Sequence, residues 1–220
     1  MCRAFSNCPR AVAPLRGQAR GSHMSSVIDL RTYVGASNSR LLVMVDLQQK
    51  NYDALARENG SGLSRALDNC MAAIRHARNF GIPLAFTRQS DGPEVFERSA
   101  PSAWISGFEP KRSDMVFERQ QPSCYSNQLF ANVVSQAESF AIAGLGAEES
   151  CLATTIDASR RGHHVTFLSD ASASRRRRNT DSAAVHVVAS NAIELFADVA
   201  NTGHWLVATS QRPLKGHRYG

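Results

Sequence analysis

Apolar runs alternating with segments of helical spacing predict an α/β fold, with a mostly parallel sheet and helices on both faces. Three observations carry this. Leu41–Val45 and Phe140–Ala143 are unbroken apolar runs, the pattern of strands buried on both faces. About six strand-like runs occur along the chain, and helical stretches separate them. Parallel neighbours need long crossovers, which those stretches supply.

The 220 residues suffice for one such domain with a full core. Gly21-Ser22-His23-Met24 reads as a tag-cleavage scar, so residues 1–23 are taken as leader and Met24 as the expected start. The leader carries four arginines and no acid; without it the formal charge falls from +6 to +2. That balance gives little reason to expect a nucleic-acid partner. Cys70, Cys124 and Cys151 remain outside the leader, too few and too widely spaced for a disulfide framework or zinc pattern. A reducing, cytoplasmic setting is expected. No apolar run approaches the ~18 residues of a membrane span. The expected organisation is one domain over 24–212 and a basic tail over 213–220.

In chain order, residues 25–40 read as a surface lead-in and Leu41–Val45 as the first strand, ended by Asp46. A carboxylate there faces the ligand edge of a parallel sheet, or else caps a turn. Gly60-Ser61-Gly62 predicts a break, followed by a helix over Leu63–Phe80 stopped by Gly81. Pro83–Thr87 predicts the second strand. Residues 88–113 predict a long irregular loop, whose Trp104 and Phe108 either wall a pocket or seal the loop onto the core. Asp114–Arg119 predicts a short strand, and Arg119 alone reads as an exposed charge. A helix follows from about Gln128 to Ala137.

Phe140–Asp157 organises the chain: an apolar strand, then Gly144 and Gly146, then Glu148 and Glu149 in the first turn of a helix that also holds Cys151. A thiol in that place is favoured as its anion by the helix dipole and by free N–H groups. The same pattern fits a small buried thiol packing helix against sheet. The helix runs on to Arg161 and ends at Gly162. His163-His164 precede a strand over Val165–Leu168; as strand neighbours they point to opposite faces and do not share one ion. Asp170 reads as a turn or cap, Arg175–Arg178 as a solvated loop, Asn179-Thr180-Asp181 as a helix start, Ala183–Val199 as the last helix and His204–Thr209 as a final strand.

Three segments then resemble one family, the isochorismatase-like cysteine hydrolases: Leu41–Gln48 with its Asp46-Leu47-Gln48, Ala143–Ala158 around the cysteine, and Arg160–Ala171 after it. The resemblance implies a Rossmann-like three-layer sandwich with a six-stranded sheet in the order 3-2-1-4-5-6. It also implies a homo-oligomer, a dimer or a tetramer, and a small-molecule substrate.

The family triad of Asp, Lys and Cys would fall on Asp46, Arg119 and Cys151, with arginine a departure from the family's lysine. The family's oxyanion hole would fall on the N–H groups of Ala147 and Cys151. Gln48, Trp104, Phe108, Tyr125 and Asn127 are the candidates for the pocket wall. The Asp-x-His metal segment of the family's nicotinamidases is absent from this sequence, so no metal or cofactor is expected. The implied activity is cleavage of an amide-like C–N bond through a thioester. The alternatives are an ether hydrolase of the isochorismatase type, which uses no cysteine nucleophile, and a binding protein on the same fold.

Overall fold

The structure, a computed structural model, describes residues 40–90, 102–137 and 139–210. The leader, most of the lead-in, part of the long loop and the basic tail lie outside the described residues.

Six strands form one sheet: β1 (Arg40–Val45), β2 (Leu84–Gln89), β3 (Met115–Arg119), β4 (Ser139–Leu145), β5 (His164–Ala173) and β6 (Asp198–Ala200). Their order is β3-β2-β1-β4-β5-β6, and all five pairings are parallel. This is the expected order, and it reverses between β1 and β4. Ligand crevices of open parallel sheets lie at that reversal, beyond the carboxyl ends of the strands.

Five helices cover the sheet: α1 (Gln49–Phe80), α2 (Gln128–Val134), α3 (Leu152–Arg160), α4 (Ser182–Glu194) and α5 (Thr202–Ser210). Alternate residues of β1 feed two cores, because strand side chains alternate in face. Leu42 and Met44 join Leu55, Leu63, Ile74 and Trp205 on the α1/α5 side. Leu41, Val43 and Val45 join Phe130, Val133, Ala158 and Ile193 on the α2/α3/α4 side. The result is three layers.

Three expectations are corrected. Gly60-Ser61-Gly62 does not break the chain, since α1 runs through it for 32 residues. An interior glycine costs about 1 kcal/mol against alanine, and the buried row of Leu55, Leu63, Ala66, Cys70, Ile74 and Ala77 on both sides of the triplet outweighs that. The helix does end at Gly81, at φ +68°, with its N–H on Ala77 O.

The last helix is shorter than expected, and His204–Thr209 is helix rather than strand. Asp170 Oδ1 accepts from both N–H and Oγ of Thr202 at 2.7 Å, capping α5, and Trp205 packs beside the His76 ring. The segment 202–209 then buries Thr202, Trp205 and Thr209, a helical spacing.

Arg175–Arg178 is the solvated loop expected, with Arg176–Arg178 exposed, and it is pinned in place. Arg175 Nη2 donates to Asn51 Oδ1 (2.6 Å), the Arg176 N–H to Glu58 Oε2 (2.8 Å), and Arg177 pairs with Glu148 and Glu149. The run ties the end of β5 to α1 and to the turn after β4. Among the described residues, no helix is long and apolar enough to cross a membrane.

Candidate active site

The carboxyl ends of β1 and β4 meet closely. A Cβ on Gly144 would lie 2.1 Å from Val45 O, so only glycine permits the contact. Asp46 follows at φ +54°, a left-handed backbone that Asp tolerates better than most residues. Its carboxylate is thereby turned across the strand ends. Gly146, at φ +84°, starts the turn after β4. Residues Ala147–Cys151 form one widened, π-type turn before α3. Such turns are rare and occur often at functional sites.

Arg119, at the end of β3, is buried, with 2% of its surface exposed. Its Nη2 donates to Asp46 Oδ2 and to Ser150 Oγ (2.8 Å), and its Nη1 donates to Gln121 O (2.7 Å). The Ser150 hydroxyl donates to Asp46 Oδ2 (2.9 Å). Asp46 Oδ1 accepts from the Gln89 N–H (3.2 Å). Carboxylate, guanidinium and hydroxyl thus form one buried cluster drawn from β1, β3 and the turn after β4. Burial pushes the Asp46 carboxyl above the ordinary Asp range, while Arg119, Ser150 and the Gln89 N–H pull it back.

Cys151 does not take the place expected of it. Its exposure is 0%, and it packs in the core on the α2/α3/α4 side with Cys124, Phe117 and Phe130. Burial pushes its thiol well above the usual cysteine range; Cys124 and Asp46 add to this, and Arg119 only opposes it. The structural alternative, a small thiol packing helix against sheet, describes it. Ser150, one residue earlier, makes the polar contacts with Asp46 and Arg119. Of the expected oxyanion donors, the Cys151 N–H leans on Gly146 O at 3.3 Å, alongside the N–H groups of Glu149 and Ser150. Iodoacetamide is therefore expected to label native Cys151 no faster than an unactivated thiol at pH 8. Intact mass against time checks this, and fast single labelling at Cys151 would contradict it.

A cavity of about 120 Å³ opens on the cluster, walled by Asp46, Asn51, Gln89, Glu148, Ser150 and Arg175 among others. A larger hollow of about 690 Å³ between α1, β5 and α4 touches none of the cluster. None of the five expected wall residues lines the small cavity. Gln48 is buried beneath it, exchanging hydrogen bonds with the backbone of Gln89 (3.2 and 3.3 Å). Trp104 stacks edge-on to Phe86 (5.8 Å) and Phe108 is in the core, so the two seal the loop rather than wall a pocket. The loop is strapped there by Gln49 N–H to Ala103 O (2.7 Å) and Ile105 N–H to Leu47 O (3.0 Å). Tyr125 is turned to the other core, with its hydroxyl 2.7 Å from His163 Nδ1. Asn127 caps α2, accepting from the N–H groups of Leu129 and Phe130.

The residues missed by sequence reading are Ser150, Asn51, Gln89, Glu148 and Arg175. Ser150 and Glu148 stood in the segment around the cysteine and Arg175 in the arginine run, whereas Asn51 and Gln89 stood near no signal. Glu148, Glu149 and Ser150 line the cavity from the widened turn, and Cys151, the next residue, falls in the core.

The comparisons with known proteins agree with this fold. A family model described as the isochorismatase domain matches residues 40–202. Solved structures share the fold at low identity. A candidate isochorismatase from Burkholderia xenovorans LB400 is 23% identical, covering 83% of this chain and 94% of its own, with a TM-score of 0.68. A cysteine hydrolase from Pseudomonas syringae pv. phaseolicola 1448A is 16% identical over 78% and 92%, with a TM-score of 0.67. An isochorismatase from Pseudomonas putida KT2440 is 23% identical over 76% and 89%, with a TM-score of 0.66. No curated protein matches the sequence.

Proposed function

The chain belongs to the isochorismatase domain family, and from that premise we propose that it is a small-molecule hydrolase acting on an amide-like C–N bond through Asp46, Arg119 and Ser150. One observation carries the reading: the Ser150 hydroxyl donates to Asp46 (2.9 Å) and accepts from Arg119 (2.8 Å) beside a cavity, while Cys151 is buried away from it. A hydroxyl is a weak nucleophile without a base in hydrogen-bond reach. Asp46 is that base, and burial raises its basicity above that of an exposed carboxylate.

In the proposed cycle Ser150 Oγ attacks the carbonyl carbon as its proton passes to Asp46. The C–N bond then breaks, and Asp46 returns the proton to the leaving nitrogen. Water enters, gives a proton to Asp46 and attacks the acyl ester. The ester C–O bond breaks and the proton returns to Ser150. The sum is one water consumed, with an acid and an amine released. Arg119 holds Asp46 and Ser150 in register through its Nη2.

A second reading rests on one observation, the raised Asp46 carboxyl with no thiol at the cavity. A carboxyl that retains its proton acts as a general acid, which an ether hydrolase without covalent catalysis needs. Paired variants separate the two. Ser150→Ala is expected to lose on the order of 10³-fold or more in amine release from an amide panel. Cys151→Ala is expected to stay within a few-fold of wild type. Ether cleavage that survives both variants, with no amide turnover in wild type, would support the second reading. Loss in Cys151→Ala with retention in Ser150→Ala would overturn the assignment of the nucleophile.

A further inference from the structure

Glu148 lies in the turn after β4, two residues before Ser150, and is one wall of the small cavity. Its side chain is 9% exposed. Its two carboxylate oxygens differ sharply. Oε1 accepts from the Arg175 N–H (3.3 Å) and from Arg177 Nη2 (3.0 Å). Oε2 is buried and has no hydrogen-bond partner. An ionised carboxylate oxygen out of water and without a donor is costly, and native structures seldom leave one. A bound molecule with a donor would satisfy it.

We propose that Glu148 is a specificity-determining residue: its Oε2 accepts from an N–H donor on a part of the substrate remote from the bond that is cleaved. This rests on the hydrolase reading above for the word substrate alone, since the binding itself does not require turnover. The oxygen accepts only, so the ligand must donate. Charge decides between a cationic and a neutral donor. The carboxylates of Asp46, Glu148 and Glu149 are matched by the guanidinium groups of Arg119, Arg175 and Arg177, and Arg177 bridges Glu148 and Glu149. A cation would unbalance a cluster already neutral in sum, so a neutral N–H donor such as a carboxamide or ureido NH₂ fits better. The cavity of about 120 Å³ admits only a small molecule of this kind. Arg175 and Arg177 take up Oε1, which leaves Oε2 as the accepting atom.

The test compares two neutral probes of similar size, malonamide and dimethyl malonate. The first carries a primary amide at each end; the second carries only esters, without N–H donors. Binding is followed by NMR titration of the whole chain, in wild type and in Glu148→Gln. Wild type is expected to bind malonamide about tenfold tighter or more, as a site built around a hydrogen bond rejects the analogue lacking it. In Glu148→Gln the amide oxygen is claimed by Arg175 and Arg177 and an NH₂ takes the place of Oε2, so the preference is expected to vanish or reverse. Equal affinities in wild type, no saturable malonamide binding, or a preference unchanged in Glu148→Gln would each overturn the proposal. The wild-type comparison stands even if the variant folds poorly. Amine release, measured in parallel, reports on the hydrolase reading alone: a binding preference without turnover on any substrate would sink that reading and leave the Glu148 site standing.

Discussion

Asp46→Asn is expected to lower kcat/KM by about 10²–10⁴-fold, the usual contribution of a positioned acid or base. The change keeps the shape and removes the proton acceptor. It also strips Arg119 of its counter-charge, and leaving a buried charge unpaired costs on the order of 3–5 kcal/mol. Activity and stability therefore fall together in the single variant. The double variant Asp46→Asn/Arg119→Met separates them. It removes both charges, so the melting temperature should recover much of its loss while activity stays down. The pH profile adds a second readout. A base must be ionised to work, and burial raises the Asp46 carboxyl above the ordinary Asp range. In wild type kcat/KM should rise with pH through an apparent pKa above that range, and this limb should be missing from the residual activity of Asp46→Asn. Retention of activity to within tenfold, or an unchanged limb, would remove Asp46 from the proposed chemistry.

Gly144→Ala should be the most destabilising single change in the described residues. The added Cβ would meet Val45 O at 2.1 Å, Val45 N at 2.7 Å and Val45 C at 2.9 Å, all backbone atoms of the neighbouring strand. None can rotate aside, so β1 and β4 must part at their carboxyl ends. The backbone at φ +131° adds strain for any L side chain. A loss above about 4 kcal/mol is expected, the range that marks a named structural break. Gly162→Ala is the control, at φ +75° with nothing within 4 Å of the added Cβ. It should cost only the left-handed penalty of roughly 1–2 kcal/mol. Urea denaturation of both variants measures the difference. The Gly144 variant that folds should also lose activity, because Ser150 and Asp46 are carried by the two strand ends being pushed apart. Equal losses in the two variants would show that the strand contact is looser than drawn.

Strands with strong apolar runs were legible because burial on both faces leaves no polar alternation, as in β1 and β4. The two helix errors share a cause. Gly60-Ser61-Gly62 and His204–Thr209 have weak or misleading local preference, and packing decided both: α1 gains a continuous buried stripe, and α5 gains the Asp170 cap and a berth for Trp205. Propensity is a weak prior where tertiary contacts are this many.

The sequence alone determined the α/β class, the position of Asp46 at a strand end and the family, because those depend on local pattern and on residues close together in the chain. Tertiary structure decided how the side chains meet. Arg119 reads by itself as an exposed strand-end charge; the family resemblance set it beside Asp46, and the sheet order brings the two together across 73 residues. Ser150 rather than Cys151 contacts that pair because a widened turn sets the facing, and a shift of one residue around a turn exchanges cavity for core. The cavity wall joins Asn51 and Gln89 to Glu148 and Arg175 from four segments far apart in sequence. No spacing rule encodes such a meeting; it exists only once the sheet has closed and the loops have found their straps.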